Sequence, residues 1–144
     1  MPPCLEAVRL GALLHDVGKI AIPDRVLLKP GSLTAAERKT MEDHTLIGER
    51  IVKAIHGIHD WTLACVRHHH ERWDGQGYPD RLSGGEIPVL ARVVHVAEVF
   101  DVLTSATSYV RPVSVSRALE ILRAASGEQF DRELVERLAA LVVT

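Results

Sequence analysis

The spacing of the apolar residues constrains the fold of this chain more than any other feature. Apolar side chains mostly recur at intervals of three and four, the period of an α-helix, and no segment shows a convincing strand pattern. Hydrophobic residues make up 47% of the 144 residues, which suits one domain with a real core and excludes a disordered chain. We therefore expect an all-α helical bundle, with residues 1–144 forming a single domain.

Turn and capping residues divide this pattern into helices. The predicted helices span about residues 5–16, 34–55, 60–72, 88–105, 114–125 and 131 onward. Thr34 and Glu37 have the spacing of a capping box at the start of the second helix. Ser114 and Asp131 are placed to cap the last two helices. Glycine, proline and aspartate concentrate between positions 74 and 88, which predicts a structured loop.

Charge and cysteine usage limit the partners and the compartment. The net charge is −2 with histidine neutral, so no global basic field exists to bind long nucleic acid. A small anionic ligand remains compatible, because a local site needs only a few cations or metals. Cys4 and Cys65 lack CxxC spacing and have apolar neighbours, which predicts reduced core residues of a cytoplasmic protein. No apolar run approaches the roughly 18 residues of a membrane span, and no signal peptide is visible.

Histidine and carboxylate side chains concentrate at four places on or beside predicted helices. These places are His15 with Asp16, His44, His69 and His70 with Glu71, and Glu98 with Asp101. Imidazoles and carboxylates without nearby thiolates suit Fe, Mn, Zn or Ni and argue against a structural zinc finger. Adjacent helical residues point about 100° apart, so an adjacent His-Asp pair suits a carboxylate that bridges two ions. The constellation therefore predicts a metal site.

The predicted helix 88–105 supports this interpretation independently. Its apolar residues cover nearly all sides, so it should be largely buried, yet His95, Glu98 and Asp101 form one stripe at spacing three. Buried carboxylates are costly unless they are paired or bound to a metal, so the stripe requires a cationic partner.

Structural alternatives exist for the same residues. Glu98 and Asp101 could pair with Arg92 or Arg67, and the three consecutive histidines could form a solvated patch. His95 could be a buried histidine whose hydrogen bonds are satisfied. The metal hypothesis depends on the constellation rather than on any one member.

The motifs that carry these residues resemble the HD-GYP subgroup of the HD-domain phosphohydrolases. The resemblance begins with HDVGKIAIP (15–23) and His44, and it is most specific in HHERWDGQGYP (69–79). Agreement continues through LSGGEIP (82–88), ARVVHVAEVFDVLTS (91–105) and GEQFDRELV (127–135). The resemblance implies an all-α bacterial signalling domain that hydrolyses cyclic di-GMP to pGpG or GMP.

The resemblance also implies the roles of the site residues. The expected metal ligands are His15, Asp16, His44, His69, His70 and Glu98, with Asp16 bridging two ions. Lys19 matches a lysine that meets the scissile phosphate, so Asp16 and Lys19 are the expected catalytic residues. The segment Gly77, Tyr78 and Pro79 would shape the substrate entrance, and Asp101 matches an acid near the ligand.

The implied cofactor is a pair of divalent ions, with Fe or Mn favoured and Zn, Ni or Mg also compatible. Such ions would activate a water whose hydroxide attacks phosphorus. Expected partners are a cyclic dinucleotide substrate, a regulatory domain or signalling protein as in two-component signalling, and a second copy in a homodimer.

Three departures from the family pattern leave alternatives open. Glu98 replaces an aspartate, which moves the carboxylate by roughly 1.5 Å. Thr107 and Val110 stand where the family usually has basic residues, although Arg111 could partly replace them in binding substrate. The chain also lacks the family's helices before the HD motif, which predicts at most two metals and a more open site. The alternatives are a degenerate module that binds a nucleotide or protein without turnover, and a phosphohydrolase for another nucleotide.

Overall fold

The computed structural model describes residues 3–106 and 111–142, whose regular structure is helical, so the all-α prediction is confirmed. The helices are α1 (Pro3–Leu14), α2 (Asp24–Leu27), α3 (Ala35–Glu42), α4 (His44–Lys53), α5 (Asp60–His68), α6 (Val89–Thr104), α7 (Val115–Ala124) and α8 (Arg132–Val142). Two 3₁₀ helices, Val17–Ala21 and Gly84–Glu86, lie in the connections. No helix in these two ranges is long and apolar enough to cross a membrane.

The predicted caps are present at the helix starts. Thr34 and Glu37 form the expected capping box at the start of α3. The Ser114 side chain accepts a hydrogen bond from the Arg117 amide at the start of α7. The Asp131 carboxylate likewise accepts one from the amide of Glu133, 2.9 Å away, at the start of α8.

Three helix ends differ from the prediction. The helix expected over residues 34–55 is divided at Asp43, which ends α3 and precedes α4. Aspartate competes with the helical backbone for hydrogen bonds and is a poor interior residue. Helix α1 ends at Leu14 and α5 ends at His68. The adjacent ligand pairs therefore lie just beyond helix C-termini, and the geometry expected for neighbours within a helix was wrong.

Two close backbone contacts, at Gly11 and Gly18, bring together the chain segments that carry the predicted metal ligands. A Cβ on Gly11 would lie 2.5 Å from the Cβ of Cys65, so α1 packs tightly on α5. A Cβ on Gly18 would overlap the carbonyl of His44 and lie 2.6 Å from the amide of Gly48. Glycine at position 18 thus lets the first 3₁₀ helix rest against the start of α4.

The core corrects two expectations about burial. Cys65 is fully buried, but Cys4 is exposed on the first turn of α1, so only one cysteine belongs to the core. In the first half of α6, Ala91 and Val94 are buried, whereas Val102 is 44% exposed in the second half. Helix α6 is therefore only partly buried, rather than buried on nearly all sides as expected. A cluster of buried core residues joins α6 to α7 and α8 and consists of Val96, Leu122, Phe130 and Val135.

Candidate metal centre

The six side chains predicted as metal ligands meet at one place, although they come from four segments of the chain. Two overlapping groups have their ligand atoms within 4.8 Å of one another: Asp16, His44, His69 and His70 form the first, and His15, His69 and Glu98 form the second. His69 belongs to both groups, so they are adjacent. We call these six residues the metal cluster.

Three histidines of the cluster are held by the same local hydrogen bond, from Nδ1 to the carbonyl three residues earlier. The distances are 2.8 Å for His15 to Ala12, 2.7 Å for His44 to Met41 and 2.9 Å for His69 to Val66. A carbonyl oxygen only accepts hydrogen bonds, so Nδ1 must carry the proton in each ring. The Nε2 lone pair of each neutral ring is then free to bind a metal, as in the usual support of ligand histidines.

The chemistry of this donor set fits a metal ion. Nε2 of His44 and Nε2 of His69 lie only 3.3 Å apart. Both atoms are acceptors when the rings are neutral, so their lone pairs repel each other. A cation between them would remove this repulsion. Burial lowers the pKa of His44, and burial followed by the nearby His15 and His44 lowers the pKa of His69 to about 3. Protonation of the rings is therefore unfavourable near neutral pH, and a metal cation satisfies both lone pairs.

Asp16 presents its two carboxylate oxygens to different neighbours. Oδ1 lies 3.4 Å from Nε2 of His44 and 4.0 Å from Nε2 of His69, and it is buried without a hydrogen-bond partner among the described residues. Oδ2 accepts a 2.6 Å hydrogen bond from Nζ of Lys19 and lies 3.5 Å from Nε2 of His15. This arrangement suits a carboxylate that bridges two positions.

Asp16 is ionised, as a carboxylate that bridges two metal positions must be. Burial opposes the charged form, but the hydrogen bond and the charge of Lys19, with His15 and His44 nearby, lower the pKa of Asp16. The carboxylate is therefore ionised near neutral pH and attracts a cation.

Glu98 supplies the carboxylate of the second group. Its Oε1 lies 3.9 Å from Nε2 of His15, and its Oε2 is buried without a partner in the described part of the chain. Burial, helped by the nearby charge of Asp16, raises the pKa of Glu98, and His15 and Lys19 only partly oppose this. The alternative pairing with an arginine is wrong, because Arg92 pairs with Asp131 and Arg67 pairs with two other carboxylates.

His70 and Tyr78 close one side of the cluster. The His70 ring centroid lies 4.1 Å from that of His69 and 4.9 Å from that of Tyr78. The Tyr78 amide donates a 3.3 Å hydrogen bond to the His70 carbonyl. A Cβ on Gly77 would lie 2.5 Å from Cα of Glu71, so only glycine permits this close approach. Residues 77 to 79 thus lie directly beside the candidate metal ligands.

Glu71 anchors the loop that follows, a role that the sequence did not reveal. Its buried carboxylate accepts hydrogen bonds from the amides of Asp80 at 2.7 Å and Leu82 at 3.1 Å. Its carbonyl accepts a 2.9 Å hydrogen bond from Nδ1 of His95, which is a satisfied buried histidine. Arg81 between the two amides adopts a left-handed backbone with φ 58°. No side-chain pattern signals this role, because the carboxylate binds main-chain groups.

The remaining predicted residues lie at the edge of this region or beyond it. The Lys19 side chain is 35% exposed beside Asp16. Asp101 is exposed on α6, three residues after Glu98, and Arg111 is exposed at the start of the second described range. Thr107 and Val110 lie outside the described residues.

Comparison with known proteins identifies relatives over nearly the whole chain. A family model described as HD domain matches residues 2–134. The chain is 47% identical over 93% of its length to the cyclic di-GMP phosphodiesterase response regulator RpfG of Xanthomonas campestris pv. campestris. It is 42% identical over 93% to a cyclic di-GMP phosphodiesterase of Thermotoga maritima and 40% identical over 92% to 3'3'-cGAMP-specific phosphodiesterase 2 of Vibrio cholerae. The matched regions cover only 36%, 37% and 26% of those proteins.

Solved structures show the same fold. A cyclic GMP-AMP specific phosphodiesterase from Vibrio cholerae matches 100% of this chain and 39% of its own, with a TM-score of 0.75 and 24% identity. An HDGYP protein from Bdellovibrio bacteriovorus matches 96% of this chain and 44% of its own, with a TM-score of 0.73 and 21% identity. The family model and the relatives above confirm the family resemblance drawn from the sequence, and these structures confirm the fold.

Proposed function

This chain belongs to the HD domain family, and we propose on that basis that it is a metal-dependent phosphodiesterase that hydrolyses cyclic di-GMP to pGpG or GMP. The observation that carries the proposal is the metal cluster, in which two buried histidine lone pairs face each other 3.3 Å apart beside the unpartnered Oδ1 of Asp16. The names of two relatives support cyclic di-GMP as the substrate.

The cofactor that we propose is a pair of divalent ions. The six residues of the metal cluster would hold them, with Asp16 between the two positions. Mixed imidazole and carboxylate ligands suit Fe or Mn, and Zn, Ni or Mg are also compatible. When bound, such ions polarise a phosphodiester and lower the pKa of a coordinated water.

Protein residues supply the remaining parts of the chemistry. The Lys19 ammonium, hydrogen-bonded to Asp16 and partly open to solvent, would neutralise charge that develops on the phosphoryl oxygens. His44 and His69 keep their orientation through hydrogen bonds to main-chain carbonyls, so their Nε2 atoms need no reorganisation. No side-chain nucleophile is required.

Substrate contacts would come from the rim of the cluster. Tyr78, flanked by Gly77 and Pro79, lies against His70 and would form one wall of the entrance. Asp101 and Arg111 are the further residues that we propose for substrate binding, and both are exposed.

We also infer a cytoplasmic location and control by a regulatory domain or signalling protein. Free thiols at Cys4 and Cys65 agree with a reducing compartment. One relative is named a response regulator, and this supports a regulatory partner.

A second candidate function is a non-catalytic module that binds a nucleotide or a protein. The observation in its favour is Glu98, whose carboxylate is longer than the aspartate of the family pattern and has a pKa raised by burial. The extra methylene would shift the position of a bound ion by roughly 1.5 Å.

The test is hydrolysis of cyclic di-GMP by protein loaded with Fe(II) or Mn(II) without oxygen, with products separated by chromatography. Asp16→Ala should abolish the formation of pGpG and GMP, and Asp24→Ala, an exposed residue of α2, should leave it unchanged. Equal product from the Asp16 variant would overturn the proposal. A folded, metal-loaded wild type that binds cyclic di-GMP but forms no product would establish the binding module instead.

A further inference from the structure

A pocket lies beside the metal cluster and adjoins it through Tyr78. Its volume is about 460 Å³, and its walls come from α3 and from the loop around Tyr78. The side chains that define its chemistry are Lys39, Glu42, Gln76, Tyr78, Pro79 and Arg81. Tyr78 also contacts the His70 ring, with a centroid distance of 4.9 Å. Tyr78 therefore lies against both the pocket and the metal cluster.

Among the described residues, the two cations of the pocket, Lys39 and Arg81, have no ion-pair partner closer than 3.9 Å. Lys39 has a distant partner in Asp43, at 3.9 Å, and its side chain is 68% exposed. Arg81 is exposed and lines the pocket from a left-handed backbone with φ 58°, a conformation that costs energy in a residue with a side chain. The loop cannot relax this backbone easily, because Glu71 binds the amides on both sides of Arg81. A strained residue that is fixed at the rim of a pocket points to a ligand contact.

The pocket combines one carboxylate with two cations, and this combination discriminates between nucleobases. Guanine presents the N1–H and N2–H₂ donors side by side, which a carboxylate accepts, and the O6 and N7 acceptors, which lysine or arginine binds. Adenine presents an acceptor at N1 and a donor at N6, so it would leave the carboxylate facing a lone pair. Phosphate offers acceptors but no donor, so it would leave the Glu42 carboxylate without a hydrogen-bond partner. An aromatic side chain such as Tyr78 adds a stacking surface for any base.

We propose that this pocket, through Glu42, Lys39 and Arg81, binds a guanine base of the dinucleotide and selects guanine over adenine. The inference rests on the proposed function, since it assigns a base subsite to the same active site.

The test measures binding of GMP and AMP to the Mn(II)-loaded protein by isothermal titration calorimetry, because neither mononucleotide contains a phosphodiester that could be hydrolysed. Wild type should bind GMP about tenfold more tightly than AMP, the discrimination expected from one bidentate contact. Glu42→Gln and Arg81→Gly should each weaken GMP binding by about tenfold and leave AMP within twofold. Glycine suits the left-handed backbone, so Arg81→Gly should fold normally. Glu6→Gln, an exposed residue of α1, is the matched control.

The outcomes separate this inference from the proposed function. Equal affinity of the wild type for GMP and AMP, or no binding of either, would overturn the guanine subsite. Equal weakening of both nucleotides by Arg81→Gly would also overturn it, because that pattern indicates a phosphate contact. Hydrolysis of cyclic di-GMP is measured in parallel on the wild type. A clear GMP preference without hydrolysis would support the subsite and refute the phosphodiesterase.

Discussion

Nε2 of His44 and Nε2 of His69 lie 3.3 Å apart, while each ring donates its Nδ1 proton to a main-chain carbonyl. Hydrogen bonds to the carbonyls of Met41 in α3 and Val66 in α5 thus hold the two Nε2 lone pairs facing each other in the interior. The two lone pairs repel each other, and a bound cation would remove this repulsion because both nitrogens could coordinate it. Metal binding should therefore stabilise the fold, since the unfolded chain has no such arrangement of ligands.

Thermal unfolding tests this linkage. Mn(II) at about 100 times its dissociation constant should add about 2.7 kcal/mol to the free energy of unfolding, and EDTA should remove that gain. Asp16→Asn should lose the metal-dependent rise in Tm, because the neutral amide no longer attracts a cation between the histidines. Calorimetry with and without Mn(II) gives the measurement.

The control for this experiment is His56→Ala, which removes an exposed histidine outside the cluster. It should respond to Mn(II) like the wild type. A rise in Tm that survives in Asp16→Asn would show that the stabilising ion binds elsewhere.

We expect the number of bound ions to depend on Glu98. Its buried Oε2 is unpartnered in the described part of the chain, and its Oε1 faces His15. Glu98→Gln removes the charge at nearly constant shape, so the metal content should fall from two ions to one per chain. Elemental analysis after dialysis measures this content. Two ions in the variant would show that Glu98 is dispensable, and none would show that both positions depend on it.

The sequence predicted the helical class and the residues of the cluster, but it did not predict how the cluster is built. Helical periodicity identifies a helix over several turns, whereas its last residue depends on local contacts such as the hydrogen bond from His15 to the carbonyl of Ala12. Ligand pairs expected within helices therefore lie beyond helix ends. The anchoring role of Glu71 escaped prediction because its partners are the amides of Asp80 and Leu82, and amides are present at nearly every position.

The segment beside the cluster should be sensitive to one methyl group. Gly77→Ala would place Cβ 2.5 Å from Cα of Glu71 and 2.6 Å from the carbonyl oxygen of His70. Neither neighbour is a flexible side-chain end, so the loop must shift, and the free energy of unfolding should fall by about 1–3 kcal/mol. Gly85→Ala is the matched control, because a Cβ there meets nothing within 4 Å. Urea unfolding measures the free energy of unfolding of both variants. Equal values for Gly77→Ala and Gly85→Ala would mean that the loop shifts without a loss of stability.

An arginine links the loop to two helices, and its contribution should depend on pH. Arg67 of α5 pairs with Glu49 of α4 and, through two nitrogens, with Asp80. The hydrogen bond from Arg67 lowers the pKa of Asp80 below its ordinary value of 3.8. A carboxyl with a depressed pKa in the folded state stabilises the protein above the unfolded pKa, and this stabilisation is lost as pH falls through the folded pKa.

Arg67→Met should therefore cost about 1 kcal/mol at pH 7, a modest value because the pairs are partly exposed. The difference from the wild type should shrink toward pH 3 as Asp80 becomes protonated. Urea unfolding at both pH values gives this difference, in which the effects of pH on other groups largely cancel. A constant difference would show that Arg67 acts through packing of its aliphatic stem.

Lys19 should affect turnover without affecting metal content. Its ammonium lies 2.6 Å from Oδ2 of Asp16 and is partly exposed, so it can reach a phosphodiester bound at the cluster. Loss of one positioned charge at the transition state typically costs about 10²–10³ in kcat, and Lys19→Met should show a fall of this size on cyclic di-GMP. Lys53→Met removes an exposed lysine at the end of α4 and should leave kcat unchanged. If Lys19→Met instead lowers metal content along with kcat, the lysine acts by holding Asp16 in place rather than by meeting the phosphate.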